Sequence, residues 1–191
     1  MWEQTDLWKA YCEHFDTIES ARNEWSEKAL EFLNMVCSSV ADKSWAQDAD
    51  LILKPVAVEN RTASANVDFS RLSNQFDLHS PRYKYEISIG FKAKPDGNSC
   101  NFMVSAHSYL KRGESRGALL KEEARVVRQF VEEENDGAYM ITGRKGSFRY
   151  RFIDAASDQL TVDHAARAVK ETLDATKRLN KLLEASAGAP S

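Results

Sequence analysis

Three alternating stretches carry the side chains of this chain best suited to chemistry. Over residues 83–92, Tyr83, Tyr85, Ile87, Ile89 and Phe91 alternate with Lys84, Glu86, Ser88, Gly90 and Lys92. Over 100–110, Phe102, Val104 and Ala106 alternate with Met103, Ser105, His107 and Tyr109. Over 147–153, Phe148, Tyr150 and Phe152 alternate with Arg149 and Arg151. A period of two sends such sets to opposite faces of a strand. Where those strands are neighbours, Lys84, Glu86, His107, Arg149 and Arg151 share one polar face. A carboxylate beside an imidazole can move protons, and guanidinium groups can hold an anion. Glu86 and His107 are therefore the ligand-site candidates. The plainer reading, a solvated sheet face with cross-strand ion pairs of about 0.2–1 kcal/mol each, is the stronger of the two.

The same face supports a second chemistry. Lys84, Arg144, Lys145, Arg149 and Arg151 are candidates for binding an anion or nucleic acid, with Lys92, Lys94, Lys111 and Arg112 on neighbouring turns and Tyr109 as a stacking ring. Gly143-Arg144-Lys145-Gly146 is too short for a P-loop and reads as a hairpin turn. Against this reading, the chain carries a net charge of -3, and it contains no RNP, KH or helix-turn-helix pattern.

Metal and nucleophile chemistry have less support. His14, His79, His107 and His164 are scattered, and HExxH and CxxC are absent. Cys12 and His14, two residues apart on a helix, face about 200° away from each other. No metal and no cofactor are expected. The three cysteines, Cys12, Cys37 and Cys100, stand at unrelated spacings and read as free thiols of a reducing compartment. With no apolar run near the roughly 20 residues needed to cross a bilayer, and an acidic, amphipathic start, the expectation is a cytoplasmic protein with no membrane partner.

The elements that would position these groups begin with a stripe. Trp8, Tyr11, Phe15, Ile18, Arg22, Trp25, Ala29, Phe32 and Val36 step by threes and fours, the one-face pattern of an amphipathic helix. Asp16 and Glu19 resemble a capping box, which would divide a short helix ending near Phe15 from one over about Thr17–Val40; one helix or two remains open. Leu30 and Leu33 widen the face, which favours packing within the domain over a free coil. All four tryptophans fall in the first 45 residues. Trp2, Trp8, Trp25 and Phe32 are the protein-interface candidates.

Strands are expected over Leu51–Val58, Ala63–Phe69, Tyr83–Lys92, Cys100–Leu110, Ala138–Thr142 and Ser147–Ile153, with a loop over 70–81 and a polar connection over 111–117. Leu120, Ala124, Val127 and Val131 predict a helix to about Glu134, with a strand over Val126–Val131 as the competing reading. Glu132–Glu134 reads as a solvated helix end. A last helix over Val162–Glu184, capped by Thr161 or Asp158, repeats the stripe of the first.

The fold class is thus α+β: an antiparallel sheet of about six strands in two hairpin groups, covered on one face by long N- and C-terminal helices. It reads as one domain over 1–185: a helical segment 1–45, a sheet segment 46–153 with one inserted helix, a helix over 158–185, and a flexible tail 186–191. In element order alone the chain resembles the small chaperones of type III secretion, which implies an analogy of architecture and nothing about a site. Charge is segregated. Residues 1–50 hold four basic and eleven acidic side chains, and residues 137–153 hold four basic and none acidic. The functional expectation is a non-enzymatic protein-binding module, adaptor or chaperone-like. It would act through its N-terminal helix as a homodimer or within a complex. The alternative is a nucleic-acid- or anion-binding module on the basic sheet face. The third is a ligand-binding protein or enzyme centred on Glu86 and His107.

Overall fold

A computed structural model of the chain describes residues 6–47, 52–54, 73–79, 82–93, 100–112, 115–134, 139–141, 147–150, 153–154 and 157–188. The chain opens with α1 (Asp6–Glu13) and α2 (Phe15–Ala41), followed by a single turn, α3 (Ser44–Gln47). Then come β1 (Ile52–Lys54), β2 (Ser73–His79), β3 (Tyr83–Ala93), β4 (Cys100–Arg112) and β5 (Ser115–Gly117). After α4 (Lys121–Glu133) lie β6 (Tyr139–Ile141), β7 (Ser147–Tyr150) and β8 (Ile153–Asp154), and α5 (Val162–Gly188) closes the fold. The architecture is α+β around an antiparallel sheet.

The strands run in the order β1-β2-β3-β4-β7-β6. β3 and β4 are the two long members, paired from Tyr83↔Leu110 to Ala93↔Cys100. Tyr83, Tyr85, Ile87, Ile89 and Phe91 on β3, with Phe102, Val104 and Ala106 on β4, form the floor of the core. Three helices close it: α2 through Leu33, Val36 and Val40, α4 through Val127, Phe130 and Val131, and α5 through Val169, Leu173, Leu179 and Leu183. Small residues on α5, among them Ala165, Ala168 and Ala175, are fully buried. Without long side chains there, that helix can lie close to its neighbours. At one end of the sheet Trp25 and Phe32 of α2 meet Phe91 edge to face at 6.1 and 5.9 Å, and Phe32 meets Phe102 at 5.7 Å.

Several expectations need correction. Among the described residues the sheet contains eight strand segments rather than about six, two of them short pieces that pair with β4 off the main path. The expected loop over 70–81 contains β2. Asn, Asp and His are poor strand formers, but this segment is hydrogen-bonded on both sides, to β1 and to β3, and that pairing outweighs intrinsic preference. The polar connection over 111–117 turns back as β5, with Arg112↔Ser115 the innermost pair. The break in the first helix falls at His14, which has φ -112° and ψ 14°; Asp16 lies inside α2, so its capping box does not form. Residues 121–133 are helix, which removes the strand alternative there. Thr161 caps α5 by accepting the His164 amide at 3.1 Å. Of the first expected strand only Ile52–Lys54 is described, and Ala63–Phe69 lies outside the described residues, as does the turn at 143–146.

The largest departure concerns the second face of the sheet. A sheet covered on one face would leave Glu86, Ser88, Ser105 and His107 solvated. Instead each is buried, at 4, 1, 3 and 5% exposure. Both faces of the β3–β4 ribbon are therefore interior.

Candidate functional site

Two places combine the side chains singled out above with a geometry that can act. The first is the polar row on the second face of the sheet. Glu86 and His107 are direct register partners across β3 and β4, and Ser88 and Ser105 are the next pair on that face. Directly opposed residues of an antiparallel pair have their Cα atoms about 4.5–5.5 Å apart. Ser88 Oγ lies 3.5 Å from Glu86 Oε1, the outer limit of a hydrogen bond. The His107 ring stands 6.4 Å from that of Tyr109 on the same strand. Backbone register continues the row outward: Asp77 on β2 stands across from Glu86, Ser147 on β7 across from His107, and Arg149 across from Ser105. The arrangement is a carboxylate and an imidazole held side by side away from solvent. Its chemical capacity is proton exchange between them; its accessibility to a ligand is small.

The remaining cationic candidates are not gathered on an open surface among the described residues. Lys84 is half-buried. Arg149 is placed by its backbone in β7, and Arg144, Lys145 and Arg151 lie outside the described residues. Among the described residues no three His, Cys, Asp or Glu side chains are grouped to hold a metal, and no helix is long and apolar enough to cross a membrane.

The second place is the N-terminal part of the stripe. From Ala29 to Val40 the inward face of α2 is buried, with Ala29, Leu33, Val36 and Val40 at 5% or less. Trp25, one turn earlier, is half-buried against Phe91. On a helix of 3.6 residues per turn, Ile18 and Phe15 continue the same face. There they are 39 and 46% exposed. The stripe thus passes from core to surface between Trp25 and Ile18, and Phe15 stands about 21 Å along the axis from Ala29. Glu13, Asp16 and Glu24 are exposed on this part of the chain, but Asp16 lies about 100° and Glu24 about 180° around α2 from Phe15, off the apolar face. Cys12 is an exposed free thiol beside it, whereas Cys37 is buried.

The interface candidates divide accordingly. Trp25 and Phe32 spend their rings on Phe91 and Phe102 inside the chain. Trp8 is placed by its backbone in α1, and Trp2 lies outside the described residues. Phe15 and Ile18 hold the exposed part of the stripe. A shallow groove on another side of α2, lined by Glu27, Leu30, Glu31, Asn34, Met35 and Ser38, encloses about 610 Å³. These residues share one helix, and no polar group converges on the groove from another described element.

One cluster has no counterpart in the reading of the sequence. The Glu123 carboxylate, with 5% of its side chain exposed, accepts from the Tyr83 hydroxyl at 2.9 Å, from Arg82 Nη2 at 3.2 Å and from the Leu120 amide at 2.8 Å. The Tyr83 hydroxyl also reaches the Leu183 carbonyl at 3.4 Å. These bonds tie the start of α4, the start of β3 and the end of α5 together. Burial, then the hydrogen bond to Glu123 and its charge, push the Tyr83 hydroxyl up to about 12. Tyr85, whose hydroxyl donates to Asn180 Oδ1 at 2.8 Å, is raised further, again chiefly by burial. The signal for this cluster was present in part: Leu120-Lys121-Glu122-Glu123 puts a glutamate at the third helical position, where it can reach back to the amide that opens the helix.

No protein-family model matches this chain, and no curated protein or solved structure matches it either.

Proposed function

We propose that this chain is a protein-binding module, without chemistry of its own, whose docking element is the N-terminal arm formed by α1 and the first turns of α2. One observation carries the reading: the helix face that is core at Leu33 and Val36 continues to Phe15 and Ile18, where it is exposed. Burying a large aliphatic or aromatic side chain is worth about 1.5–3 kcal/mol. A sequence that keeps the stripe in register beyond the last turn covered by the domain therefore holds binding energy in reserve.

The dye bis-ANS, which lights up on exposed apolar surface, tests this. In dilute solution the parent chain is expected to bind it, and Phe15→Ser with Ile18→Ser to lose most of the signal at unchanged helicity. Dye binding that is absent, or that survives both changes, would remove the arm as a docking surface. The buried Glu86–His107 row supports a second reading, an acid–base ligand site. It requires that this face open to solvent, which the reactivity of His107 decides below.

A further inference from the structure

The row on the second face of the sheet holds more than the pair Glu86 and His107. Pairing of β2 with β3 sets Asp77 across from Glu86 and His79 across from Lys84, so Asp77 and His79 occupy register positions on that same face. Glu86 is paired in turn with His107 across β3 and β4. Three adjacent strands thus bring two carboxylate and two imidazole positions to one face. The described side chains supply Glu86 and His107, and backbone register adds Asp77 and His79. Asp77 and His107 stand two strand spacings apart, about 9.5 Å, and His79 and His107 stand about 12 Å apart on the diagonal. Two side chains, each ending in a metal bond of about 2.0–2.2 Å, can cover such a span, with Glu86 at its middle. The other two histidines are on helical elements: His14 is exposed at the start of α2, and His164 on α5 has Nδ1 2.7 Å from the Gln159 carbonyl.

Burial decides what this row needs. Glu86 and His107 are 4 and 5% exposed, and a charge so far from water is paired or coordinates a metal. Asp77 opposite Glu86 raises the demand, because like charges facing each other across a strand pair repel. Three basic residues stand nearest by register: Lys54 across from Gln75, Lys84 across from His79 and Arg149 across from Ser105. Ion pairs to these would need no imidazole. The row that holds both carboxylates instead continues into His107, and His79 adds a second imidazole one pleat away. Two imidazole nitrogens with two carboxylate oxygens are a donor set for Zn2+.

We infer that Asp77, His79, Glu86 and His107 form a site for one divalent transition-metal ion of the Zn2+ class, bridging β2, β3 and β4. Four protein donors leave the ion no open position, so it holds the strands together, as in a structural site, rather than acting on a substrate. β2 is where such a clamp has most to hold, since its polar residues are poor strand formers. The site is independent of the arm, and unlike an acid–base ligand site it works with the face closed.

Zinc uptake by the metal-stripped full chain tests it. The chain is expected to take up one Zn2+ at micromolar concentration and to keep it through gel filtration. His79→Gln and His107→Gln are each expected to weaken uptake at least about tenfold, the smallest loss typical when even an outer partner of a ligand is removed. Cys12→Ser with His14→Gln, at exposed positions, leaves uptake unchanged and so separates this site from surface binding. Because a change at buried His107 can unfold the chain, a second measurement uses the parent protein. In a Zn2+ titration followed by NMR of the histidine rings, two of the four rings should respond and saturate at one equivalent. His14→Gln and His164→Gln remove the other two signals and identify the responding pair as His79 and His107. No uptake at up to about 100 μM Zn2+, uptake lost with Cys12 and His14, or a response confined to His14 and His164 would each overturn the inference and leave the carboxylates to the basic residues. The arm is judged separately by its dye response, which does not depend on metal.

Discussion

Glu123 shows how one side chain sets local geometry. Its carboxylate holds the first amide of α4, the Tyr83 hydroxyl and the Arg82 guanidinium at once. Buried hydrogen bonds to a charged group are worth about 1.5–3 kcal/mol each, and an abandoned buried partner costs a similar amount. The raised Tyr83 gives this cluster a pH signature. In the folded chain Tyr83 keeps its proton to about pH 12, while an unfolded tyrosine releases it near 10. The unfolded state therefore loses protons first, and stability falls as pH rises through the window from 10 to 12. Tyr85 adds a contribution of the same sign. Urea melts across that window should show the decline, and Tyr83→Phe should lessen its slope; an unchanged slope would mean that Tyr83 titrates normally.

At the scale of elements, most of what the periodicity shows is local. The stripe of α2, the valine spacing of α4 and the repeat in α5 each announce a helix, and Tyr83–Phe91 and Phe102–Ala106 announce the central hairpin. Each depends only on residues a turn or a pleat apart. What was not legible depends on distant pairing. β2 exists because β1 and β3 flank it, and no pattern in its polar residues requires that. The break at His14 rather than Asp16 is a local choice that capping chemistry misplaced. Burial of the polar row is the clearest case. Alternation identifies the face to which Glu86 and His107 belong, and their direct opposition follows from register. Alternation carries no information about what lies above that face. Diethyl pyrocarbonate distinguishes a closed row from an open site. His14, which is exposed, and His164, which is half-buried, should react readily. His107, at 5% exposure, should resist. A reactive His107 would restore the ligand-site reading of that face.

At the scale of the molecule, the apolar stripe of the first long helix runs from core to surface, with Leu33 and Val36 buried and Phe15 and Ile18 exposed. The stripe itself was legible, but its division was not. Trp25 and Phe32 appear as interface anchors by residue type, and the structure spends both on Phe91. Phe15 and Ile18, less conspicuous in the sequence, hold the exposed part.

The central claim is that one continuous helix face changes from core to docking surface between Trp25 and Ile18. Unfolding free energies measured by chemical denaturation in dilute solution test it most directly. Leu33→Ala, on the buried turns, should cost about 2.7–5 kcal/mol. Phe15→Asp with Ile18→Asp, on the exposed turns, should change stability by no more than about 0.5 kcal/mol per site. A loss of about 2 kcal/mol or more from the Asp pair would show that the arm is covered by its own chain, and would contradict the account.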